Sequence, residues 1–130
     1  MSDGKSKILI IDDQPGEVKM VRMALEAAGY DVVHAYNGTE GLEKACSEAP
    51  DLIILDVMMP EKDGFVACAD LKKSPSTASI PVIVLTSIES SSLIFPDAES
   101  ASGSPHADEY IDKPVDPNFL LKRVARLLKK

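Results

Sequence analysis

The chain has 130 residues, of which 45% are hydrophobic and 27% charged, and its formal net charge is −7. Its length suits one domain, so we expect a single domain over 1–130, with a core of about 6–129 and no second domain. The acidic balance disfavours direct binding to nucleic acid, which needs clustered Lys and Arg. Because the N-terminus lacks an apolar signal region and no apolar run is long enough to cross a membrane, we expect a cytoplasmic protein without membrane insertion.

Short apolar runs rich in β-branched residues alternate with helical patterns along the whole chain. This alternation is typical of βαβ units and predicts a parallel sheet. The predicted strands cover about 7–11, 31–35, 52–55, 81–86 and 109–111. The third run has no polar alternation, as expected of a strand that is covered on both faces.

Residues typical of helix ends flank the first two helical patterns. Pro15 suits the first position of a helix, and Gly29 suits the position after a last turn. Asn37, with Glu40 three residues later, predicts a capping box for the second helix, which Pro50 ends. The residues predicted to face the core are Val18, Val21, Leu25 and Ala28 in the first helix and Leu42, Ala45, Cys46 and Ala49 in the second.

The second half of the chain predicts further helices. One is capped by Asp63, and the last opens with Asp116 as N-cap and Pro117 as first residue. A short helix fits the spacing around 88–95, but the segment 87–109 is rich in Ser, Gly and Pro and otherwise favours a loop. The residues predicted to face the core are Phe65, Cys68 and Leu71 in the third helix and Leu120, Val124, Leu127 and Leu128 in the last.

Polar side chains stand at the ends of four predicted strands. Asp12 and Asp13 follow the first strand, Asp56 follows the third, Thr86 ends the fourth and Lys113 follows the fifth. In an open parallel sheet ligands bind at the carboxyl ends of the strands. Two carboxylates about 4 Å apart repel by roughly 4 kcal/mol at an effective dielectric near 20. The cluster therefore predicts a hard divalent cation with oxygen ligands, although an Asp pair after a strand can also simply cap the next helix.

Four segments that contain these strand ends match a known pattern in order and spacing. They are Ile-Asp-Asp (11–13), Leu-Asp-Val-Met-Met-Pro-Glu-Lys-Asp-Gly (55–64), Leu-Thr-Ser (85–87) and Ala-Asp-Glu-Tyr-Ile-Asp-Lys-Pro (107–114). With them the chain, from about residue 6 to its end, resembles the receiver domain of two-component response regulators. The resemblance implies an α/β fold of flavodoxin-like (βα)5 type, with a doubly wound parallel five-stranded sheet in the order 2-1-3-4-5.

The resemblance also implies a role for the aspartates. Asp56 would accept a phosphoryl group from a phosphohistidine on a partner, either a sensor histidine kinase or a histidine phosphotransferase. The chain would then be a phosphoacceptor that assists its own phosphorylation and dephosphorylation, not an enzyme. Asp12, Asp13 and Asp56 would bind Mg²⁺ together with the backbone carbonyl of Met58, Asp12 acting through a water.

The same resemblance assigns the switch. Lys113 would pair with Asp56 before transfer and with the phosphoryl oxygens afterwards, while Thr86 would donate its hydroxyl to a phosphoryl oxygen. Thr86 and Tyr110 would then change conformation together, the tyrosine turning inward, and pass the signal to a downstream protein. The resemblance further implies a cis bond between Lys113 and Pro114.

Two other classes of function are open on the sequence alone. A docking module that keeps this fold but works without phosphorylation is favoured by the unusual segment 87–109 and disfavoured by the intact Asp56 and Lys113. An aspartate-nucleophile phosphatase of the haloacid dehalogenase type needs an Asp-x-Asp pattern after the first strand, which the adjacent Asp12 and Asp13 do not form.

The cysteines and histidines are predicted to be structural. Cys46 and Cys68 fall on apolar helix positions and are expected to be small buried hydrophobic residues. His34 and His106 have no second ligand at a spacing useful for a metal, so we expect structural or solvated roles for both.

Overall fold

The computed structural model of the protein describes residues 6–56, 70–86 and 108–128. The strands within these ranges are β1 (Lys7–Ile11), β2 (Asp31–Ala35), β3 (Leu52–Asp56), β4 (Val82–Thr86) and β5 (Glu109–Asp112). The helices are α1 (Pro15–Ala27), α2 (Gly38–Glu48) and α3 (Pro117–Leu128). Apart from a helical turn at 70–73, the helix predicted from Asp63, with Phe65 and Cys68, lies outside the described residues. The helix predicted at 88–95 also lies outside them.

The five strands are parallel and lie side by side in the order β2-β1-β3-β4-β5. This is the predicted flavodoxin-like order. Ile11 at the end of β1 is level with Ala35 of β2 on one side and with Leu55 of β3 on the other. The order of the strands reverses at this point, so the carboxyl ends of β1 and β3 flank the crevice in which open α/β sheets bind their ligands.

Two apolar clusters cover the two faces of the sheet, because successive residues of a strand point to opposite faces. The first cluster, which joins the sheet to α1 and α3, consists of Ile8, Ile10, Val18, Val21, Leu25, Leu52, Ile54, Ile83, Leu85, Ile111, Val115, Leu120 and Val124. The second cluster, on the face of α2, consists of Leu9, Ile11, Ala35, Ala45, Ile53, Leu55, Leu71, Val82 and Val84. Every residue of β3 is buried, so the prediction of a strand covered on both faces is confirmed.

Helix α1 has the predicted start and stop. It begins at Pro15, and Gly29 after its end takes a φ of 97°. The N–H of Tyr30 donates to the carbonyl of Leu25 at 3.1 Å, as in a Schellman motif. The predicted burial of Ala28 is wrong: it is the C-cap residue and is exposed, because α1 ends at Ala27 and the chain turns away from the helix at Gly29.

The N-terminus of α2 has the predicted cap with one difference. The side chain of Asn37 accepts a hydrogen bond from the N–H of Glu40 at 2.9 Å. The carboxylate of Glu40 in turn accepts from the N–H of Tyr36 at 2.8 Å, one residue before the position that a capping box uses. This bond, with a smaller contribution from Lys44, lowers the pKa of Glu40.

The buried face of α2 differs from the prediction. The buried residues are Gly38, Gly41 and Ala45. Cys46 and Ala49, which the sequence pattern predicts to face the core, are exposed. A Cβ at Gly41 would lie only 2.8 Å from Cγ1 of Ile11, so the helix packs on β1 through its glycine backbone. This close approach turns the side of α2 that carries Cys46 toward solvent.

Gly41→Ala is expected to destabilise the protein by about 1–3 kcal/mol, because the added methyl group overpacks the site beside Ile11. This change in stability is opposite in sign to that for an ordinary glycine inside a helix, where replacement by alanine stabilises the protein by up to about 1 kcal/mol. Gly16 in α1 is the matched control, since a Cβ there meets nothing within 4 Å. Urea unfolding of both variants measures the difference, and a Gly41→Ala protein as stable as Gly16→Ala would contradict the close packing.

Helix α3 begins as predicted, with Pro117 as its first residue. Asp116 caps it by accepting a hydrogen bond from the N–H of Asn118 at 3.0 Å. The peptide bond between Lys113 and Pro114, which precedes this cap, is cis, as the resemblance implies. Among the described residues, no helix has the length and apolar character needed to cross a membrane.

Candidate functional site

Three carboxylates meet at the crevice between the carboxyl ends of β1 and β3. Asp12 and Asp13 directly follow β1, and Asp56 is the last residue of β3. Because the two strands are hydrogen-bonded neighbours, one oxygen from each carboxylate lies within 4.8 Å of the others. The structure therefore brings together the three aspartates that the sequence predicts at one edge of the sheet.

The carboxylates of this cluster are largely removed from solvent. Asp56 is 0% exposed and Asp12 is 1% exposed. Oδ2 of Asp12 and Oδ1 of Asp13 are buried and accept no hydrogen bond from any residue that the structure describes. Leaving a buried acceptor unsatisfied costs about 1–3 kcal/mol. Carboxylate oxygens are the ligands that Mg²⁺ prefers, so the donor set fits the predicted ion.

The excess of negative charge is most evident at Asp12. The pKa of Asp12 is raised from 3.8 to about 8, chiefly by burial and in smaller part by a side-chain hydrogen bond to Glu17 and by the charges of Glu17 and Asp56. The N–H of Gln14 acts in the opposite direction by donating to Oδ1 of Asp12 at 2.9 Å. Near neutral pH the metal-free site therefore holds a proton on Asp12, which a bound cation would displace.

The backbone beside Asp12 is held in place by β2. The N–H of Asp12 donates to the carbonyl of Ala35 at 3.0 Å, and the ring of His34 lies 2.8 Å from the carbonyl of Asp12. His34 is therefore structural, as predicted. The alternative interpretation of the Asp pair as a helix cap holds in part, because Oδ1 of Asp12 accepts a hydrogen bond from the N–H of Gln14, the N-cap residue of α1. Capping leaves Oδ2 of Asp12 and Oδ1 of Asp13 without a donor among the described residues.

Lys113 reaches this cluster from the loop after β5. Its Nζ donates to Oδ1 of Asp56 at 3.0 Å, and the same nitrogen lies 3.2 Å from Oε1 of Glu17. Burial by itself lowers the pKa of Lys113, but the hydrogen bond to Asp56 and the charges of Asp56 and Glu17 outweigh it, so the pKa is raised. Lys113 is thus an ammonium at neutral pH and faces the buried carboxylate directly.

Glu17 belongs to the site but is not among the residues predicted from the sequence. It is the third residue of α1, and its side chain is only 15% exposed. A local signal does exist, because the first turn of a helix that follows β1 must lie at the same edge of the sheet as Asp12. The pairing of Glu17 with Lys113, however, depends on the position of the loop after β5, which no local pattern reveals.

The remaining predicted residues are placed only in part. Thr86 is the last residue of β4 and is level with Asp112 of β5, but only its backbone is described. Tyr110 of β5 is half-buried and packs against the second cluster, with its hydroxyl oxygen inside the protein. Met58, His106 and Cys68 lie outside the described residues.

Comparison with known proteins identifies relatives over almost the whole chain. Residues 8–125 match the family described as response regulator receiver domain. The chain is 41% identical over 124 residues to the DNA-binding dual master transcriptional regulator RpaA of Synechocystis, covering 95% of this chain and 49% of RpaA. It is 36% identical over 124 residues to the protein PilH of Pseudomonas aeruginosa, covering 95% of this chain and 98% of PilH. The chain thus spans about half the length of the first relative and nearly all of the second.

A solved structure is similar to this chain in both fold and sequence. The response regulator protein TrrA from Thermotoga maritima, determined in complex with Mg(2+)-BeF, has a TM-score of 0.79 and 32% identity, and the match covers 95% of this chain and 99% of TrrA. A similarity at this level in both sequence and structure indicates common ancestry as well as a common fold.

Proposed function

Because the chain belongs to the response regulator receiver domain family, we propose that it accepts one phosphoryl group on Asp56 from a phosphohistidine of a partner and responds by a change in conformation. One observation carries the assignment of the acceptor. Asp56 is a fully buried carboxylate at the end of a central strand, with two further carboxylates beside it and an ammonium 3.0 Å away. A buried charge in such surroundings is retained for chemistry more readily than for stability.

The metal that suits this cluster is Mg²⁺, which Asp13 and Asp56 would hold directly and Asp12 through a water, with the backbone carbonyl of Met58 as a further proposed ligand. The ion would neutralise the carboxylates and attract the oxygens of an incoming phosphoryl group. The buried oxygens of Asp12 and Asp13 that accept no hydrogen bond from the part of the chain that the structure describes support this site. The structure of TrrA, a complex with Mg(2+)-BeF, supports the same choice of ion.

Lys113 and Thr86 complete the proposed reaction. Phosphoryl transfer requires an oxygen nucleophile in line with the leaving group and positive charge near the equatorial oxygens. The ammonium of Lys113 already lies at Asp56 and would pair with the phosphoryl oxygens after transfer. The hydroxyl of Thr86 would donate to another of these oxygens, since β4 ends beside β3.

The change in conformation is proposed to involve Thr86 and Tyr110. Tyr110 lies on the strand next to β4, level with Val84, so a movement of Thr86 toward a phosphoryl group would alter the space available to its ring. We propose that a downstream protein detects this change. Direct contact with nucleic acid is disfavoured by the net charge of −7.

The donor is proposed to be a sensor histidine kinase or a histidine phosphotransferase. In this function the chain acts stoichiometrically: it gains one phosphoryl group and later loses it, without turning over a substrate. Uptake of one phosphoryl group per chain distinguishes this function from the two alternatives. A phosphatase would release phosphate continuously, and a docking module would take up none.

Incubation of the protein with acetyl phosphate tests the proposal. We expect the intact mass to rise by one phosphoryl group in the presence of Mg²⁺ and not after chelation with EDTA, because the unscreened carboxylates repel an anionic donor. A protein that gains no mass under either condition would favour the docking module. Release of phosphate in large excess over the protein, without a phosphorylated species, would favour the phosphatase.

A further inference from the structure

Glu17 lies next to the residues of the proposed site and has no part in the roles proposed for them. Its neighbour Val18 belongs to the first cluster, so the backbone that carries Glu17 is held by the core of the protein. The side chain of Glu17 is 15% exposed and that of Lys113 is 21% exposed. The carboxylate of Glu17 therefore belongs to the interior of the site and not to the solvated surface of α1.

The ammonium of Lys113 is shared by two carboxylates. Its Nζ lies 3.0 Å from Oδ1 of Asp56 and 3.2 Å from Oε1 of Glu17. At such similar distances, and with little water to screen them, the two carboxylates compete for the same positive charge. Lys113 consequently neutralises Asp56 only in part.

Ordinary helix capping does not account for the position of Glu17. A glutamate at the third position of a helix typically turns back to the N–H of the N-cap residue. In α1 the N-cap is Gln14, and its N–H already donates to Asp12 at 2.9 Å. The side chain of Glu17 lies instead beside the carboxyl group of Asp12, with which it shares a hydrogen bond, and also meets Lys113 of the loop after β5.

We propose that Glu17 is a positioning residue that shares the ammonium of Lys113 with Asp56 and thereby slows the transfer of a phosphoryl group to Asp56. This inference rests on the proposed function. A phosphoryl donor is an anion, and Glu17 adds a fourth carboxylate to a site that already contains Asp12, Asp13 and Asp56. Without the charge of Glu17, the ammonium pairs with Asp56 alone and the repulsion of the donor decreases.

The isosteric variant Glu17→Gln tests this role. At saturating Mg²⁺ we expect its phosphorylation by acetyl phosphate to be roughly threefold to tenfold faster than that of the wild type, since one negative charge near the donor is removed. Its affinity for Mg²⁺ is expected to fall severalfold for the same reason. A merely structural role would not move the two quantities in opposite directions.

Glu26→Gln is the matched control. Glu26 also lies on α1 and its substitution changes the net charge equally, but its side chain is 50% exposed and pairs with Arg22. We expect this variant to match the wild type in both rate and Mg²⁺ affinity, since exposed ion pairs contribute little. Equal phosphorylation rates for Glu17→Gln, Glu26→Gln and the wild type would overturn the proposal.

The contact itself has a readout that does not depend on phosphorylation. In the metal-free protein, the NMR signal of the Lys113 ammonium can be assigned by its loss in Lys113→Met. We expect the signal to shift in Glu17→Gln and to stay in place in Glu26→Gln. An unshifted signal would overturn the proposal even in a protein that is phosphorylated. If the Lys113 signal shifts in Glu17→Gln but the wild type takes up no phosphate, the contact between Glu17 and Lys113 is real and the proposed function has failed.

Discussion

Asp56→Asn is expected to abolish phosphorylation by acetyl phosphate, because an amide lacks the anionic oxygen that must attack the phosphorus. Asp31→Asn, which removes the same charge, is expected to leave phosphorylation unchanged. Asp31 is exposed and begins β2, at the end of the sheet opposite the crevice. Intact mass after incubation with acetyl phosphate and Mg²⁺ compares the two variants with the wild type.

Loss of phosphorylation in Asp56→Asn identifies the acceptor only if the variant is folded. Removing one partner of a buried ion pair typically costs about 3–5 kcal/mol, because the other charge is left without compensation. In this protein Lys113 keeps a second carboxylate, that of Glu17, at 3.2 Å. We therefore expect Asp56→Asn to fold, which circular dichroism can verify. A folded Asp56→Asn protein that still gained one phosphoryl group would show that another residue is the acceptor.

Asp12→Asn is expected to stabilise the metal-free protein at alkaline pH. Burial, together with the neighbouring Glu17 and Asp56, raises the pKa of Asp12 from an ordinary value of 3.8 to about 8 in the folded state, so the folded protein binds this proton more tightly than the unfolded chain does. For an acid shifted in this direction the loss of stability begins above about pH 4 and grows until the pH passes about 8. The asparagine variant has no such proton and escapes the loss.

The size of this effect can be measured between pH 6 and pH 8, within the window that the two pKa values define. Over these two pH units the free energy of unfolding of the wild type should fall by about 2 kcal/mol more than that of Asp12→Asn. Urea unfolding in EDTA gives both values, and Asp31→Asn serves as the control for a general change in net charge. A wild type and an Asp12→Asn protein with the same pH dependence would contradict the raised pKa.

Mg²⁺ should stabilise the wild type more than it stabilises Asp12→Asn. A ligand that binds only the folded state stabilises it in proportion to the logarithm of its concentration over the dissociation constant. The wild type should therefore gain stability with added Mg²⁺, whereas Asp12→Asn, with one ligand group fewer, should gain less. Urea unfolding in EDTA measures how much the carboxylate of Asp12 destabilises the metal-free protein. Urea unfolding with added Mg²⁺ measures how much the bound ion stabilises it.

The strands and the aspartates of the site could be predicted from the sequence because their signals are local. A buried parallel strand requires an unbroken apolar run, as in β3, and a parallel sheet requires that the carboxyl ends of its strands meet at one edge. Asp12 and Asp56 directly follow or end such runs, so their meeting follows from the connectivity. The caps at Asn37 and Asp116 are also local, since each bond spans only two or three residues.

Side-chain burial on α2 could not be predicted in the same way. Its pattern places Cys46 and Ala49 on the same side as Leu42, and an isolated helix offers no reason to reject that face. The choice depends on how close a helix can approach the sheet, and Gly41 allows the closest approach beside Ile11. The distance between α2 and β1 depends on the side chains of both elements, so the sequence of α2 alone does not predict it.

The sequence by itself determined the parallel α/β sheet, the meeting of Asp12, Asp13 and Asp56 at its edge, and the arrival of Lys113 from the last strand. Only the tertiary structure decided that the ammonium of Lys113 is shared between Asp56 and Glu17. Glu17 and Lys113 are far apart along the chain, and their contact results from the packing of α1 and α3 against one face of the same sheet. Local patterns identify which groups reach an edge, whereas distances of about 3 Å between groups from different elements depend on the packing of the whole core.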